Sequence, residues 1–437
     1  MGLQILGDDA LTSTADGFAV HMSLPWIRSL PLSSVSAMRL HLDGEECAVE
    51  LPDGDGWWFV QDRLVLRVRR PLPPGAHTVA VSFRLLIPYL PGGPDAPLVL
   101  DFGDERRLEA ARETVSSWTA AASAFNWTPE VIRAERAATD IAIGIVTSGV
   151  ATVVELEPGQ LWRSFPSTPT EEAVALRERI RAAGGRVGIV GASLDEWLSP
   201  TRRRDDDERF AFLLPQLQTA HDLGAEGVRL PIGQAGAALL GRLQPVLHEL
   251  DLTLYEEVQG QQSPDSPPVA RAVDDIAALA DARVRLLVDT SMLMPALPVT
   301  YLDALAPSIP GGLLDRLTTA WLEPATLDAV VAHLRSGAVP PAAHALYMDL
   351  LVRFGRSPAN ALRGILPLVG AFHLKFWDLD DTDRRVSQPL RDLGALLREA
   401  APGFTGTLCS EWGGHEWLDA DPTDLTRAHL ALARASL

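Results

Sequence analysis

Cysteine is almost absent: Cys47 and Cys409 are the only two in 437 residues. They stand too far apart in sequence to suggest a disulfide framework, and a reducing compartment fits. Basic charge is short as well, with 38 Lys and Arg against 57 Asp and Glu and a formal charge of −19. That balance argues against nucleic acid as a partner, because neutralising phosphates needs a basic face. The basic run Arg202-Arg203-Arg204 is followed at once by Asp205-Asp206-Asp207-Glu208. It reads as a solvated helix start with its acids near the N-terminus, where the helix dipole favours them. Long apolar runs are missing too, and none approaches the roughly 18 residues of a membrane span. The start Met1-Gly-Leu-Gln-Ile-Leu-Gly-Asp-Asp9 has neither the basic nor the apolar region of a signal peptide. The expectation is a cytoplasmic protein away from membranes.

What is present is ordinary globular material, 47% hydrophobic and 22% charged. The length allows two domains, since a barrel of about 250 residues leaves room for a second module. Residues 1–107 read as β. Short apolar or alternating segments lie around Phe18–Met22, Ala37–Leu42, Trp57–Val60, Leu64–Val68 and His77–Arg84, with turn chemistry such as Asp43-Gly44 between them. The pattern predicts a small antiparallel β-sandwich. Pro91–Pro97, rich in proline and glycine, reads as a loop or linker.

From residue 112 to 437 strands alternate with helices. Strands are expected at Val115–Trp118, Thr152–Glu155, Arg186–Val190 and Gly227–Pro231, then at segments ending on Glu257, Asp289, His373 to Phe376, and Glu411. Thr168-Pro169-Thr170-Glu171 has the spacing of a capping box. Eight β/α units in series predict a (β/α)8 TIM barrel. The stretch from 290 to 372 breaks the rhythm with helical patterns around Leu313–Arg335 and Ala342–Phe354. An insertion there falls at the mouth of the barrel and would shape a substrate pocket.

The last four strands each end on a residue able to bind metal: Glu257, Asp289, His373 and Glu411. One such residue is more often a cap or a salt-bridge partner. Four of them, in order on adjacent strands, converge at the C-terminal mouth where barrel sites collect. Three carboxylates brought together without a cation would repel one another. Three carboxylates and one imidazole suit a hard divalent ion, Mn²⁺ first with Mg²⁺ or Co²⁺ as alternatives, rather than a structural zinc. Glu256 competes with Glu257, since neighbouring strand residues face opposite ways and only one of them points inward.

These motifs resemble the xylose-isomerase-like sugar isomerase/epimerase superfamily, and within it the catalytic α subunit of C-glycoside deglycosidases. The residues that carry the resemblance are Gly191-Ala-Ser-Leu-Asp195, Glu257-Val-Gln259, Asp289-Thr-Ser291, His373-Leu-Lys375-Phe376 and Ser410-Glu411-Trp-Gly-Gly-His415, with Glu155-Leu-Glu-Pro-Gly-Gln160 and Phe165-Pro166. The resemblance selects Glu257 over Glu256. Residues 1–107 look like the β subunit of the same enzymes, through Gly17-Phe18, Trp26-Ile-Arg28-Ser-Leu-Pro31-Leu-Ser33, Leu42-Asp43-Gly44-Glu45, Gly75-Ala-His77, Arg84 and Pro88-Tyr89. A fused β–α polypeptide is the economical reading.

The resemblance implies a lyase acting on 3-oxo-glycosides made by a separate glycoside 3-oxidoreductase, and assembly as a homo-oligomer. A base removes the C2 proton acidified by the C3 ketone, a metal stabilises the enediolate, and the aglycone leaves by β-elimination. The family often carries histidine two residues after the first glutamate ligand, as the base. Gln259 stands there in this chain and takes up no proton at neutral pH. Lys375, His415 and Glu155 are the remaining candidates for that role. Lys375 lies two residues after His373, so both side chains face the same side of the sheet. A metal-dependent sugar isomerase or epimerase is the alternative, or a sugar-binding relative that has lost its base.

Overall fold

Apolar residues at every second position from Phe18 to Met22 and from Leu64 to Val68 turn one face of a sheet inward. That sheet runs in the order Ala111–Arg112, Leu6–Thr14, Gly17–Ser23, Arg63–Val68. A second runs Glu45–Cys47, Val35–Leu42, Ala76–Gly93, Ala96–Glu109, and a small pair joins Leu30–Pro31 to Trp57–Trp58. Phe18, Val20 and Leu66 of the first sheet share one buried cluster with Leu40, Val79 and Phe83 of the second, which makes a sandwich. The computed structural model describes residues 5–14, 17–49, 56–60, 62–73, 75–93, 96–109, 111–112 and 118–437. It divides into two units, Met1–Ser116 and Ser117–Leu437, against the expected division at 107 and 112.

The sandwich differs from expectation in three ways. One pair is parallel, Leu6–Thr14 with Ala111–Arg112. Pro91–Pro97 is not a linker but the end of a long hairpin, with Pro91 opposite Pro97 and Gly93 opposite Ala96. The strand Ala96–Glu109 was not expected, because two of its inward positions are charged. Asp104 accepts from the backbone N–H of Ile5 and Leu6, and Arg106 donates to the Leu6 carbonyl, so these charges anchor the first strand. The Asp43-Gly44 turn has φ of 53° and 85° at its two residues, the left-handed geometry that favours short polar residues and glycine.

The second unit is a closed barrel of eight parallel strands. In chain order they are β1 (Thr119–Ser123), β2 (Val153–Leu156), β3 (Arg186–Gly191), β4 (Gly227–Pro231), β5 (Thr253–Val258), β6 (Val284–Asp289), β7 (Val369–Phe376) and β8 (Thr407–Trp412). Of the strand expected at Val115–Trp118, residues 115–117 lie outside the described residues, and β1 starts just after it. Helices follow the strands, and their apolar faces pack on the outside of the barrel in one large cluster. The capping box predicted at Thr168 does not form. Pro169 itself is the N-cap of helix Thr170–Ala182, which leaves Thr168 outside the helix with its hydroxyl unbonded among the described residues. The acidic start at Asp205 does form one, with Asp205 and Glu208 capping each other's backbone N–H.

The insertion between β6 and β7 folds into helices Val299–Leu305, Gly311–Thr319, Pro324–Arg335 and His344–Val352 around a cluster of its own. It is fixed to the mouth at a close backbone junction. Gly260, after β5, has φ of 58°, and a side chain there would overlap the Val352 carbonyl. Gln261 adds hydrogen bonds to the carbonyls of Leu350 and Phe354. No helix among the described residues is long and apolar enough to cross a membrane.

Candidate metal centre

Inside the barrel, alternation sets which side chains meet. Tyr255, Leu287, Ala371 and Cys409 point inward as part of the packed interior. Two residues further along the same strands stand Glu257, Asp289, His373 and Glu411, one step nearer the mouth. Potential ligand atoms of these four lie within 4.8 Å of one another, and all four residues are buried. Glu256 turns the other way, to the Gly233 N–H at 2.9 Å, so Glu257 is the inward glutamate.

Each of the four commits one polar atom outward and turns another to a shared centre. Glu257 Oε2 accepts from Arg229 Nη1 at 3.0 Å, while Oε1 lies 2.9 Å from His373 Nδ1. Asp289 Oδ1 accepts from the Ser291 N–H at 2.7 Å. Glu411 Oε1 is 3.2 Å from Lys375 Nζ, and Oε2 lies 2.6 Å from His373 Nδ1. His373 Nε2 is 2.8 Å from Glu155 Oε2. That pairing of a carboxylate with the far nitrogen is how ligating histidines are usually oriented.

The centre is short of positive charge. Glu155, Glu257, Asp289 and Glu411 are buried around it, and Glu157 is close by; the basic side chains paired with them are Arg229 and Lys375. Burial pushes Asp289 up to about 6. Burial opposes charge on Glu257 and Glu411 as well, yet Arg229 beside the first, Lys375 beside the second and His373 beside both hold them below the usual range. His373 is driven well above its ordinary value, because Glu411, Glu155 and Glu257 outweigh its burial. The surrounding carboxylates thus favour added positive charge at this centre. A divalent ion fits here on the chemistry of the donors and on one further observation: among the described residues His373 Nδ1 and Glu411 Oε2 are buried and make no hydrogen bond.

Glu257, Asp289 and Glu411 open onto a cavity of 700 Å³, with Arg229, Lys375 and Gln259 also on its wall. Leu351, Val352 and Arg353 of the insertion close one side. Lys375 is set between the rings of Phe125 and Trp377, at 5.4 and 5.5 Å. The two glycines after Glu411 make room for this: a side chain on Gly413 would overlap the Trp377 ring, and one on Gly414 the Trp377 carbonyl. A second cavity, of 630 Å³, opens at the opposite end of the barrel beside Glu226, Tyr255 and Arg285 and includes none of Glu257, Asp289, His373 and Glu411.

The other candidates from the sequence separate in space. Lys375 and Gln259 face the cavity. His415 packs on Phe125 and Trp412, 5.1 and 5.6 Å between ring centres, and burial with the Lys375 charge pushes it below its ordinary value. Glu155, expected as a possible base at the mouth, instead lies behind His373 and is not part of the cavity wall. Two signals were missed. Lys375 is the only lysine among 38 Lys and Arg residues, so the chain's single ε-amine sits at this mouth. Arg229 was passed over as strand, although a charge between Val228 and Leu230 on a barrel strand needs a partner inside.

No family model matches the chain. It is 27% identical over 334 residues to the C-glycoside deglycosidase alpha subunit of Arthrobacter globiformis, covering 74% of this chain and 91% of that relative. It is 30% identical over 128 residues to the 3'-dehydrocarminate deglycosidase beta subunit of a Microbacterium species, covering 25% of this chain and 96% of that relative. A solved D-psicose 3-epimerase is 14% identical at a TM-score of 0.45, covering 73% of this chain and 99% of that one.

Proposed function

Since this chain belongs to the C-glycoside deglycosidase family, with α- and β-subunit likeness in one polypeptide, we propose that it is a divalent-metal-dependent lyase. Its substrates are 3-oxo-glycosides, supplied by a separate enzyme that oxidises the sugar at C3. The observation that supports the metal reading is the convergence of ligand atoms from Glu257, Asp289, His373 and Glu411 within 4.8 Å of one another, with His373 Nδ1 and Glu411 Oε2 buried and unbonded among the described residues. Mn²⁺ suits three carboxylates and one imidazole, with Mg²⁺ or Co²⁺ as alternatives. When bound, such an ion supplies positive charge to an oxygen that becomes negative during the reaction.

The chain's own residues account for the rest. The C3 ketone acidifies the proton on C2; its removal and loss of the C1 substituent together make a β-elimination. Lys375, as the uncharged amine, takes that proton and becomes an ammonium. Its side chain is directed into the cavity by Glu411 and the two flanking rings, two residues beyond His373 on the same face of β7. Gln259 on the cavity wall holds sugar hydroxyls without exchanging protons. Glu155 fixes the ring of His373 so that Nδ1 faces the centre. The apolar side chains of Leu351 and Val352 give the departing group a surface to leave from. We further propose a cytoplasmic homo-oligomer.

Incubation with a 3-oxo-C-glucoside, followed by product analysis, tests the reading. Release of the free aglycone is expected. Interconversion of free ketoses with no attack on the glucoside would place the chain with isomerases and epimerases instead. Tight metal binding without turnover of either would leave a sugar-binding protein.

A further inference from the structure

Glu257 is aimed by more than its own strand. Its Oε2 is tied to Arg229 Nη1 at 3.0 Å, and Arg229 donates through Nη2 to Glu157 Oε1. Glu157 comes from the turn after β2, Arg229 from β4 and Glu257 from β5, so one guanidinium joins side chains from across the mouth. The planar fork of arginine can meet two carboxylates at once, which the point charge of lysine does not reproduce. Glu157 is itself confined. Its carboxylate lies over the bare Cα of Gly191, the last residue of β3, and a Cβ at that position would overlap both carboxylate oxygens.

We propose that Glu157 and Arg229 are positioning residues for Glu257, holding one of its oxygens off the centre so that the other faces it, and that residue 191 is glycine because the Glu157 carboxylate fills the place of a side chain. The inference rests on the metal reading of Glu257, Asp289, His373 and Glu411. It assigns work to three residues outside the set Glu257, Asp289, His373 and Glu411. It also gives the glycine of the Gly191-Ala-Ser-Leu-Asp195 segment a physical reason.

The test uses the full chain, Mn²⁺ as the probe, and two variants that reach the same link from opposite ends. Arg229→Met removes the fork. Gly191→Ala changes no charge, and the atoms it displaces are the carboxylate end of Glu157 rather than backbone. Both should lower kcat on a 3-oxo-glucoside by roughly tenfold or more, the usual effect of disturbing a ligand's outer partners. Both should change the electron paramagnetic resonance spectrum of bound Mn²⁺ in the same way, with thermal unfolding of the ion-free protein as the folding control. Arg229→Lys, which restores charge without the fork, should rescue only in part.

If Arg229 were only a counter-charge, its loss would tighten Mn²⁺ binding and leave the spectrum alone, since a cation beside a dication repels it. That result overturns the proposal. An unaltered spectrum in Gly191→Ala, with Arg229→Met altered, overturns the part given to Glu157. Should Arg229→Met fail to fold, Glu157→Gln tests the same link at smaller cost in buried charge. Normal Mn²⁺ binding by Glu257→Gln would refute the metal reading itself, a failure separable from this one.

Discussion

His373 Nδ1 stands 2.6 Å from Glu411 Oε2, and among the described residues neither atom is in a hydrogen bond. Two acceptors at that separation need a cation between or beside them, either a proton on the ring or a metal ion. Replacing His373 removes the nitrogen ligand and leaves the buried carboxylates without the proton that offsets them. His373→Ala should therefore lose bound metal and activity together, while circular dichroism still reports a folded barrel. Full metal occupancy in that variant by elemental analysis would remove His373 from the ligand set.

Because Lys375 is the chain's single lysine, its chemistry can be read without interference from others. Lys375→Met should abolish turnover and also abolish exchange of the substrate's C2 proton with solvent deuterium. Amine-directed reductive methylation should inactivate the protein in step with modification of this one ε-amine. Retained deuterium exchange in Lys375→Met would move the base elsewhere, with His415 the next group along the mouth.

Glu155 lies behind His373 and is not on the cavity wall. Glu155→Gln keeps the shape and weakens the hydrogen bond to Nε2, so metal affinity or kcat should fall by roughly 10–100-fold. A change in the pH profile of kcat/KM with no change in metal binding would instead identify Glu155 as the base.

In the sandwich, His77 gives a pH dependence of definite sign. Nδ1 meets Asp43 Oδ2 at 2.7 Å and Nε2 meets the Pro73 carbonyl at 2.8 Å. Both partners accept, so both ring nitrogens donate and the ring is protonated. Its hydrogen bond to Asp43 raises His77 above its ordinary value against the opposing effect of burial. The stability it contributes is complete below the unfolded value near 6.5 and is lost as pH rises through the higher folded value. Asp43, lowered chiefly by its hydrogen bond to His77, contributes stability that is complete above the ordinary carboxylate value and is lost only as pH falls into strong acid. Thermal unfolding should occur at lower temperature at pH 9 than at pH 6, with the difference reduced in His77→Gln. Equal midpoints would contradict this.

The barrel and the convergence of Glu257, Asp289, His373 and Glu411 were legible because period and position agree in them. Runs such as Arg285-Leu-Leu-Val-Asp289 carry their polar residue where the strand ends, and a two-residue alternation fixes its direction. Glu256 and Glu257 show the limit of that reading: adjacency alone left the choice open, and it took the Gly233 N–H to show which one faces away. Longer-range partnerships were not legible. Arg229 and Glu157 are 72 residues apart and meet only because the barrel closes. The strand Ala96–Glu109 was hidden because its inward charges Asp104 and Arg106 serve a backbone some hundred positions away. Pro91–Pro97 has the composition of a linker, yet the same residues suit the end of a hairpin.

The most direct test of the central claim is reconstitution. Protein freed of metal by a chelator is titrated with Mn²⁺ while aglycone release from a 3-oxo-C-glucoside is followed. The account predicts no turnover at the start and a linear rise that saturates at one ion per chain, with Glu257→Gln and Glu411→Gln failing to recover. Undiminished release from the metal-free protein would contradict it.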